Sequence, residues 1–144
     1  MDPLLRNAEL NDSERIAELS GQLGYNTTGE TMLKRLSGLL NNPNHAVFVA
    51  TIDQHDIGWI HGFYSLTVES DPLVEIAGLV IDEQHRGKGI GQLLVNEVIA
   101  WGHTRAVSKI RVRSRIIRKE AHLFYQRLGF TEVKEQKVFD LPLN

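Results

Sequence analysis

Apolar residues recur at helical spacing in the first part of the chain and predict two helices. From Asp12, a residue type that caps helices, apolar side chains follow at intervals of three or four as far as Leu23. The same spacing runs from Met32 to Leu40 and stops at a polar run that contains Pro43. We therefore expect a pair of helices before the first long extended segment.

The middle of the chain carries three apolar runs that predict strands. Residues 46–52 are rich in β-branched side chains, and a polar tetrapeptide, 53–56, separates them from a second run at 57–64. This arrangement is typical of a hairpin. The third run, 73–81, contains a single charged residue, Glu75. A run so poor in charge predicts a strand covered on both faces, and we place it centrally in the sheet.

The second half of the chain predicts two more helices with a strand between them. A helical apolar stripe follows Gly89 and reaches Trp101, and residues 109–113 then alternate apolar with basic side chains. A second helical stripe at 121–128 ends before Gly129, a residue type that suits the end of a helix.

The C-terminal residues predict a closing hairpin, with strands at 130–133 and 137–141. With a short first strand, the whole order is β-α-α-β-β-β-α-β-α-β-β, a mixed α/β arrangement. The chain has no internal repeat, low-complexity tract or linker, and 144 residues suffice to bury one core. We therefore predict a single domain, 1–144.

Composition and charge narrow the classes of function. A net charge of −2 argues against a dedicated nucleic-acid or anionic-membrane binder, because both need a surplus of Lys and Arg. The chain has no cysteine, which excludes disulfides, thiolate metal sites and a cysteine nucleophile. Residues 1–11 lack the pattern of a signal peptide, and no apolar run is long enough to span a membrane. We expect a soluble cytoplasmic protein.

Three alternate glycines follow the central apolar run and precede a predicted helix, in the segment Gln84-His-Arg-Gly-Lys-Gly-Ile-Gly91. Glycines let a backbone approach a ligand, and the first turn of a helix offers unpaired N–H groups to a pyrophosphate. A Walker loop needs Ser or Thr after its Lys, whereas Gly89 follows Lys88. The Gly-x-Gly-x-x-Gly spacing of dinucleotide-binding folds does not match either.

The pattern Gln84-x-x-Gly87-x-Gly89, continued by Ile-Gly-x-x-Leu-Leu94, resembles the acyl-CoA pyrophosphate loop of the GNAT N-acetyltransferase superfamily. The resemblance implies a central, mixed, mostly antiparallel sheet flanked by helices, in which the strand before the loop splays from its neighbour. It implies that the backbone of this strand binds the pantetheine arm and the thioester carbonyl, here through Leu79, Val80 and Ile81. It also implies that main-chain amides cradle the pyrophosphate, and these belong to Arg86, Gly87, Lys88, Gly89, Ile90, Gly91 and Gln92.

A second motif, Arg118-x-x-Ala121-His-Leu-Phe124-Tyr125-x-x-Leu-Gly129-Phe130, is similar to the C-terminal helix of the same family. There a tyrosine stabilises or protonates the sulfur that leaves as the amine attacks, and the resemblance carries this role to Tyr125. The alternative is that Tyr125 is a core aromatic on the apolar stripe. The family usually has Asn in the place of Arg118, whose guanidinium could instead meet a phosphate of CoA.

An amine that is protonated near neutral pH must lose a proton before or during its attack, so the site needs a base. Glu75 resembles the strand glutamate that is the base in this family, directly or through water; the alternative is a carboxylate paired with Arg or Lys. His61 is the second candidate, because its reference pKa of roughly 6.5 suits a base. Trp59 and His61 would contact the acceptor with Phe63 and Tyr64, unless these strand residues face the core.

We therefore predict an enzyme that transfers an acetyl group from acetyl-CoA, its co-substrate, to a primary amine of a small molecule by direct attack in a ternary complex. Two alternatives remain open: an acetyltransferase that acts on protein lysines or N-termini, and a non-catalytic acyl-CoA-binding sensor. The histidines show no metal-ligand spacing with carboxylates, so we expect no metal. A homodimer is an expectation by analogy with the superfamily.

Overall fold

A five-stranded sheet with helices packed on its two faces forms the larger of two units in this protein. The computed structural model describes residues 2–144. The first unit ends at Val112, and the second unit comprises Arg113–Asn144.

Two helices, three strands and a third helix follow the first strand, with short 3₁₀ turns at Leu10–Asp12 and Glu83–His85. The first unit contains, in chain order, β1 Leu4–Asn7, α1 Ser13–Gly21, α2 Gly29–Leu40, β2 His45–Ile52, β3 His55–Ser65, β4 Leu73–Ile81, α3 Ile90–Thr104 and β5 Ile110–Val112. The second unit contains α4, Lys119–Arg127. Within residues 2–144, no helix combines the length and the apolar character that crossing a membrane requires.

The strands lie in the order β1-β2-β3-β4-β5, with antiparallel pairing from β1 to β4 and a parallel pairing between β4 and β5. This confirms the mixed, mostly antiparallel sheet, and β4 is the predicted strand 73–81. The predicted hairpin of β2 and β3 is confirmed with a tighter turn, in which only Asp53 and Gln54 leave the strands. Both have positive φ, 50° and 67°, as in the type I′ turns whose twist matches that of the flanking strands.

The side chains of β3 alternate between two apolar cores. A Cβ built at Gly62 would lie 3.1 Å from Val98 of α3, so the even-numbered residues 58–64 face that helix. The other face of the sheet packs against α1 and α2, and Trp59 of β3 lies at the border of this second core. Its buried members are Ala8, Ile16, Ala17, Met32, Leu36, Val47 and Val49.

Two aspartates and two arginines form a polar cluster where β1, the first 3₁₀ turn and β3 meet. Arg6 donates to both carboxylate oxygens of Asp12, at 2.9 and 2.8 Å, and to Oδ1 of Asp56 at 3.3 Å. Arg15 of α1 donates to the main-chain carbonyl of Asp56 at 2.9 Å. Both carboxyl groups are buried.

Burial and the proximity of the two carboxyl groups separate their pKa values. Burial, reinforced by the hydrogen bond and the charge of Asp12, raises the pKa of Asp56 to about 7. Burial also opposes ionisation of Asp12, but hydrogen bonds from Arg6 and neighbouring groups outweigh it and lower that pKa to about 2. Asp56 therefore keeps its proton up to near neutral pH, while Asp12 is the charged partner of Arg6.

The helix of the second unit ends in a Schellman motif. Gly129 has φ 99°, a left-handed conformation that glycine adopts without strain. The amides of Gly129 and Phe130 donate to the carbonyls of Gln126 and Tyr125, at 3.0 Å each. The rings of Phe130 and Tyr125 meet edge to face, with 5.6 Å between centroids. Gly129 is thus confirmed as the residue that ends this helix.

The predicted closing hairpin is wrong, because residues 130–133 and 137–141 form no strand in the described structure. Apolar and polar residues alternate there as in a strand, but only Phe130 packs, on Tyr125, and the apolar side chains from Val133 onward are exposed to water. Their exposed fractions run from 74% to 90%, at Val133, Val138, Phe139, Leu141 and Leu143. A strand needs a partner for its main-chain groups and a surface that buries one face, and the described residues of this unit supply neither.

We expect the melting temperature to fall by several degrees as the pH is raised from about 5 to about 8, and Asp56→Asn to remove most of this fall. The pKa of about 7 in the folded state lies above the reference value of 3.8, so the folded state holds a proton that the unfolded chain has lost. The stability that this proton contributes is lost as the pH rises through the folded pKa. The effect of Asp12 on stability appears below about pH 4. There the carboxylate, whose pKa is lowered in the folded state, becomes protonated and the fold is destabilised.

Scanning calorimetry of both proteins over this pH range measures the effect. Asp53→Asn is the matched control, because Asp53 is an exposed carboxylate in the β2–β3 turn. An Asp56→Asn variant with the same pH slope as the parent would show that the proton does not reside on Asp56.

Candidate functional site

Strand β4 is the fourth of the five strands, next to the edge strand β5 and not at the centre as predicted, and it separates from β5 in the middle of its length. The last pair of the parallel ladder is Ile76 with Val112, where β5 ends, whereas β4 continues to Ile81. The edge of β4 on that side is therefore not covered by β5 along residues 77–81. This stretch contains the predicted pantetheine-binding residues Leu79, Val80 and Ile81.

A bulge accompanies the separation of the strands. The pairing of β4 with β3 shifts register between His61 and Gly62, which makes Ala77 an extra residue in β4. A bulge of this kind turns the main chain and re-aims the side chains beside it. The next residue, Gly78, leaves room for Trp59, because a Cβ at this position would lie 2.7 Å from the indole ring.

The loop between β4 and α3 contains two glycines in the left-handed conformation. Gly87 has φ 77° and Gly89, the N-cap of α3, has φ 82°. The amide of Leu93 donates to the carbonyl of Gly89 at 3.2 Å, which closes the first turn of the helix. The amides of residues 90–92 therefore point out of the helix end, where the positive end of the helix dipole also lies. This arrangement suits a pyrophosphate, as the glycine motif predicted.

Two basic residues belong to the same loop. Arg86 donates from Nε to the carbonyl of Ile81 at 3.1 Å, which holds its guanidinium at the end of β4. Lys88 is exposed between the two left-handed glycines. Their positive charges add to the attraction that the helix end exerts on phosphates.

Side chains from the region of α1 anchor the start of this loop, and the sequence analysis missed them. Gln22 donates from Nε2 to Oδ1 of Asp82 at 3.0 Å and accepts from the amide of Glu83 at 2.9 Å. Oδ2 of Asp82 lies 2.9 Å from Nδ1 of His85 and 3.7 Å from a guanidinium nitrogen of Arg15. The hydrogen bond from Gln22, with His85 and Arg15 nearby, lowers the pKa of Asp82, so its carboxylate is charged.

A row of side chains crosses four strands on the face opposite α3. Strand pairing aligns His45 of β2 with Phe63 of β3, Glu75 of β4 and Arg111 of β5. Phe63 follows Gly62, which faces α3, so this row lies on the other side of the sheet. The half-buried side chain of Glu75, the first candidate base, therefore lies just before the bulge and opposite Arg111 in the parallel ladder.

His61, the second candidate base, lies on the same face as Glu75 and forms a pair with His45. Nδ1 of His45 is 2.9 Å from Nε2 of His61. The ring of His45 also stacks on Phe63, with 5.7 Å between centroids. Burial, with a smaller effect from His45, lowers the pKa of His61 to about 4, so this imidazole is neutral near pH 7.

The other two aromatic candidates on β3 have different surroundings. Trp59 shares the face of His61 and packs against the core under α1 and α2. Its buried indole nitrogen has no hydrogen-bond partner among the described residues. Tyr64 lies on the opposite face, with the Arg105 guanidinium 4.3 Å from the centroid of its ring. The structure therefore does not place Tyr64 with the other candidates, because strand alternation turns it toward α3.

The second unit carries the two remaining candidates, Tyr125 and Arg118. Arg118 is exposed at the N-cap of α4. Tyr125 is half-buried in α4 and contacts the rings of Phe124 and Phe130, whose centroids lie 5.1 and 5.6 Å from its own. Burial raises the pKa of the Tyr125 phenol in spite of the charge of Arg118. A phenol that stays protonated is a hydrogen-bond donor.

The loop between β3 and β4 carries two further acidic side chains, which line a cavity with Lys109. Glu69 and Asp71, in the loop before β4, are exposed. Among residues 2–144, no three His, Cys, Asp or Glu side chains are grouped so as to hold a metal ion.

Comparison with known sequences identifies relatives of the whole chain. A family model described as acetyltransferase (GNAT) domain matches residues 43–132, which is more than half of the chain. The aminoglycoside N(6')-acetyltransferase type 1 of Stenotrophomonas maltophilia is 28% identical over 147 residues, covering 98% of this chain and 94% of that protein. An uncharacterised N-acetyltransferase of Chlorobaculum tepidum is 29% identical over 135 residues, with coverages of 94% and 79%.

Solved structures share the fold. An aminoglycoside 6'-N-acetyltransferase from Acinetobacter haemolyticus superposes with a TM-score of 0.86 at 16% identity and covers 98% of this chain and 99% of its own. The aminoglycoside acetyltransferase AAC(6')-Iy, bound to the bisubstrate analogue CoA-S-monomethyl-acetylneamine, gives 0.87 at 19% identity, with coverages of 99% and 100%. These structures share the fold, and the family match over more than half of the chain identifies the family. The chain belongs to the GNAT acetyltransferase family and is an N-acetyltransferase that uses acetyl-CoA.

Proposed function

We propose that this enzyme acetylates a primary amine of a small cationic molecule, which attacks the thioester of acetyl-CoA directly in a ternary complex. The observation that carries the proposal is the position of Glu75, a carboxylate on β4 immediately before the bulge and the end of the β4–β5 ladder. A carboxylate at this point can both attract a cationic amine and accept its proton. The relative from Stenotrophomonas maltophilia, named as an aminoglycoside acetyltransferase, supports a small polyamine as the acceptor.

Acetyl-CoA would bind along the uncovered edge of β4 and across the glycine loop. The main chain of Leu79, Val80 and Ile81 would pair with the pantetheine arm, as an added strand pairs with a sheet edge. The loop would donate amides to the pyrophosphate, from Arg86, Gly87, Lys88, Gly89, Ile90, Gly91 and Gln92. Arg118 would add a positive charge for a phosphate of CoA, in place of the Asn that is usual in the family.

The transfer requires one bond to form and one to break. The amine nitrogen attacks the thioester carbon, and the tetrahedral intermediate expels the sulfur of CoA. Glu75 accepts the proton of the amine, directly or through water, and Tyr125 donates a hydrogen bond or a proton to the departing sulfur. The role of Tyr125 is supported by the motif of α4 and by the raised pKa that keeps its phenol protonated.

The acceptor would lie against the sheet face that carries Glu75. His61 supplies a neutral imidazole on this face, and Trp59 supplies an aromatic surface beside Gly78. Neutral and aromatic groups next to a carboxylate favour a cation over an anion. A protein lysine or N-terminus is the second acceptor class, and a non-catalytic acyl-CoA sensor is the rival that needs neither Glu75 nor Tyr125.

We propose further that residues 1–144 act as one catalytic domain, because the family match crosses the boundary between the two units at Val112. We propose that the reaction takes place in the cytoplasm, where acetyl-CoA is available.

A homodimer stays a prediction, favoured by the exposed apolar side chains of the C-terminal segment.

The proposed function predicts that a small molecule with several amines will be the preferred acceptor. Release of free CoA from acetyl-CoA, followed as a new thiol, should be fastest with an aminosugar or a linear polyamine. It should be slower with a lysine peptide and close to background without an amine. Preference for the peptide would favour protein acetylation. Tight binding of acetyl-CoA with no release for any amine would favour the sensor.

Gly89→Ala should weaken acetyl-CoA binding by at least about tenfold, or about 1.4 kcal/mol. A Cβ at Gly89 meets no protein atom within 4 Å, so the methyl group would enter the space proposed for the pyrophosphate. Titration calorimetry measures the affinity. Gly24→Ala is the matched control, because Gly24 has a similar φ of 87° and also no neighbour within 4 Å, but lies outside the loop. Equal affinities for the two variants would remove the loop from the binding site.

Tyr125→Phe should lower kcat by about 100-fold while the Kd of acetyl-CoA stays within about threefold of the parent value. The substitution keeps the aromatic contacts with Phe124 and Phe130 and removes the hydroxyl group. Steady-state kinetics with the best amine of the panel measures the effect. Tyr25→Phe, at an exposed tyrosine, serves as the control. An unchanged kcat would show that the phenol has no part in the chemical step.

A further inference from the structure

His45 and His61 form a hydrogen-bonded pair that the proposed chemistry has not used. The bond joins Nδ1 of His45 to Nε2 of His61 at 2.9 Å. In a neutral pair only one of these two nitrogens carries the shared proton. The outer nitrogens are then Nδ1 of His61 and Nε2 of His45, and one of them has a free lone pair while the other carries a proton. The pair can therefore accept a proton at one end and release one at the other.

The pair of His61 and His45 extends from β3 to β2, away from the proposed reaction site. His61 lies on β3, the strand next to β4, on the same face as Glu75. Pairing places Phe63 directly opposite Glu75, and His61 lies two residues further along β3 on the same face, across the bulge at Ala77 from that carboxylate. His45 lies one strand further out, as the first residue of β2 after the exposed residues 41–44.

The surroundings favour a proton that passes through His61 without resting there. Burial disfavours the imidazolium form of His61, whose pKa falls to about 4. The charged side chains on this face of the other strands are Arg6, Glu75 and Arg111. On this side of β2, α2 contributes Met32, Leu36, Leu39 and Leu40 to the apolar core. A concerted transfer leaves the positive charge on His45, nearer to water.

We propose that His45 and His61 form a proton relay that carries the proton of the acceptor amine from Glu75 to solvent. This inference rests on the proposed function. The N–H bond of the amine breaks and Glu75 takes the proton. Glu75 passes it through water to Nδ1 of His61, while the proton on Nε2 of His61 moves to Nδ1 of His45. His45 then releases a proton from Nε2 to water. When the products have left and water enters the site, Nδ1 of His61 gives up its proton to this water, the shared proton returns to Nε2 of His61, and Nε2 of His45 takes a proton from water.

His45→Gln tests the relay, because an amide can keep a hydrogen bond to His61 but cannot pass a proton on. We expect kcat to fall by about tenfold, with the Kd of acetyl-CoA unchanged. The lost rate should return as the concentration of a small imidazole buffer is raised, whereas turnover by the parent enzyme should not depend on buffer. A residue that only packs against Phe63 would show no such buffer dependence.

The control is His103→Gln, at an exposed histidine near the end of α3, which should match the parent at every buffer concentration. A His45→Gln enzyme with parental kcat, or with a lowered kcat that no buffer restores, would overturn the relay while the parent's acetyl transfer still supports the proposed function. A parent enzyme that acetylates no amine would overturn both. Nitrogen NMR of the two imidazoles at neutral pH provides a readout without turnover: the relay requires both to be neutral, and a charged His61 would overturn it.

Discussion

The end of the β4–β5 ladder at Ile76 is the constraint on which the proposed chemistry depends. Main-chain N–H and C=O groups in a sheet need partners, and a strand that loses its neighbour midway has groups left for a ligand. Here the loss occurs on one edge only, because β3 continues to pair with β4 as far as Ile81. The bulge at Ala77 and the carboxylate of Glu75 lie at the same point along β4. The strand edge without β5, the bend and the proposed base thus all lie where the pairing of β4 with β5 ends.

The proposed binding of the coenzyme by the glycine loop is favoured when the amides of the loop are held in place beforehand. Left-handed glycines give the loop its shape, but they also leave it free to take other conformations. The polar contacts of Gln22, Asp82 and His85 remove this freedom at the point where the loop leaves β4. A binding loop that is ordered in advance loses less conformational entropy when the ligand binds. The chain therefore uses residues far apart in sequence to fix the loop that we propose as the coenzyme-binding site.

The sequence predicted those features whose cause is local. The apolar run 73–81, the helical stripes and the glycine spacing each depend on neighbouring residues, and the strands, helices and left-handed glycines are found there. Contacts between distant residues were not predictable: 60 positions separate Gln22 from Asp82, and the meeting of His45 with His61 depends on strand register. The failed hairpin after Phe130 has a related cause. Alternation of apolar residues shows that a segment can form a strand, but not that a partner strand is available.

The close approach of Gly78 to Trp59 links the shape of the proposed acceptor face to the packing of the core. The indole occupies the volume that a side chain at position 78 would need, and it also packs against the core under α1 and α2. Any larger residue at this position would have to displace the indole, which would alter both the shape of the proposed acceptor face and the packing beneath it. In directed evolution toward new amines, position 78 is therefore a place where selectivity and thermal robustness change together, and compensating substitutions would be sought among the neighbours of the indole.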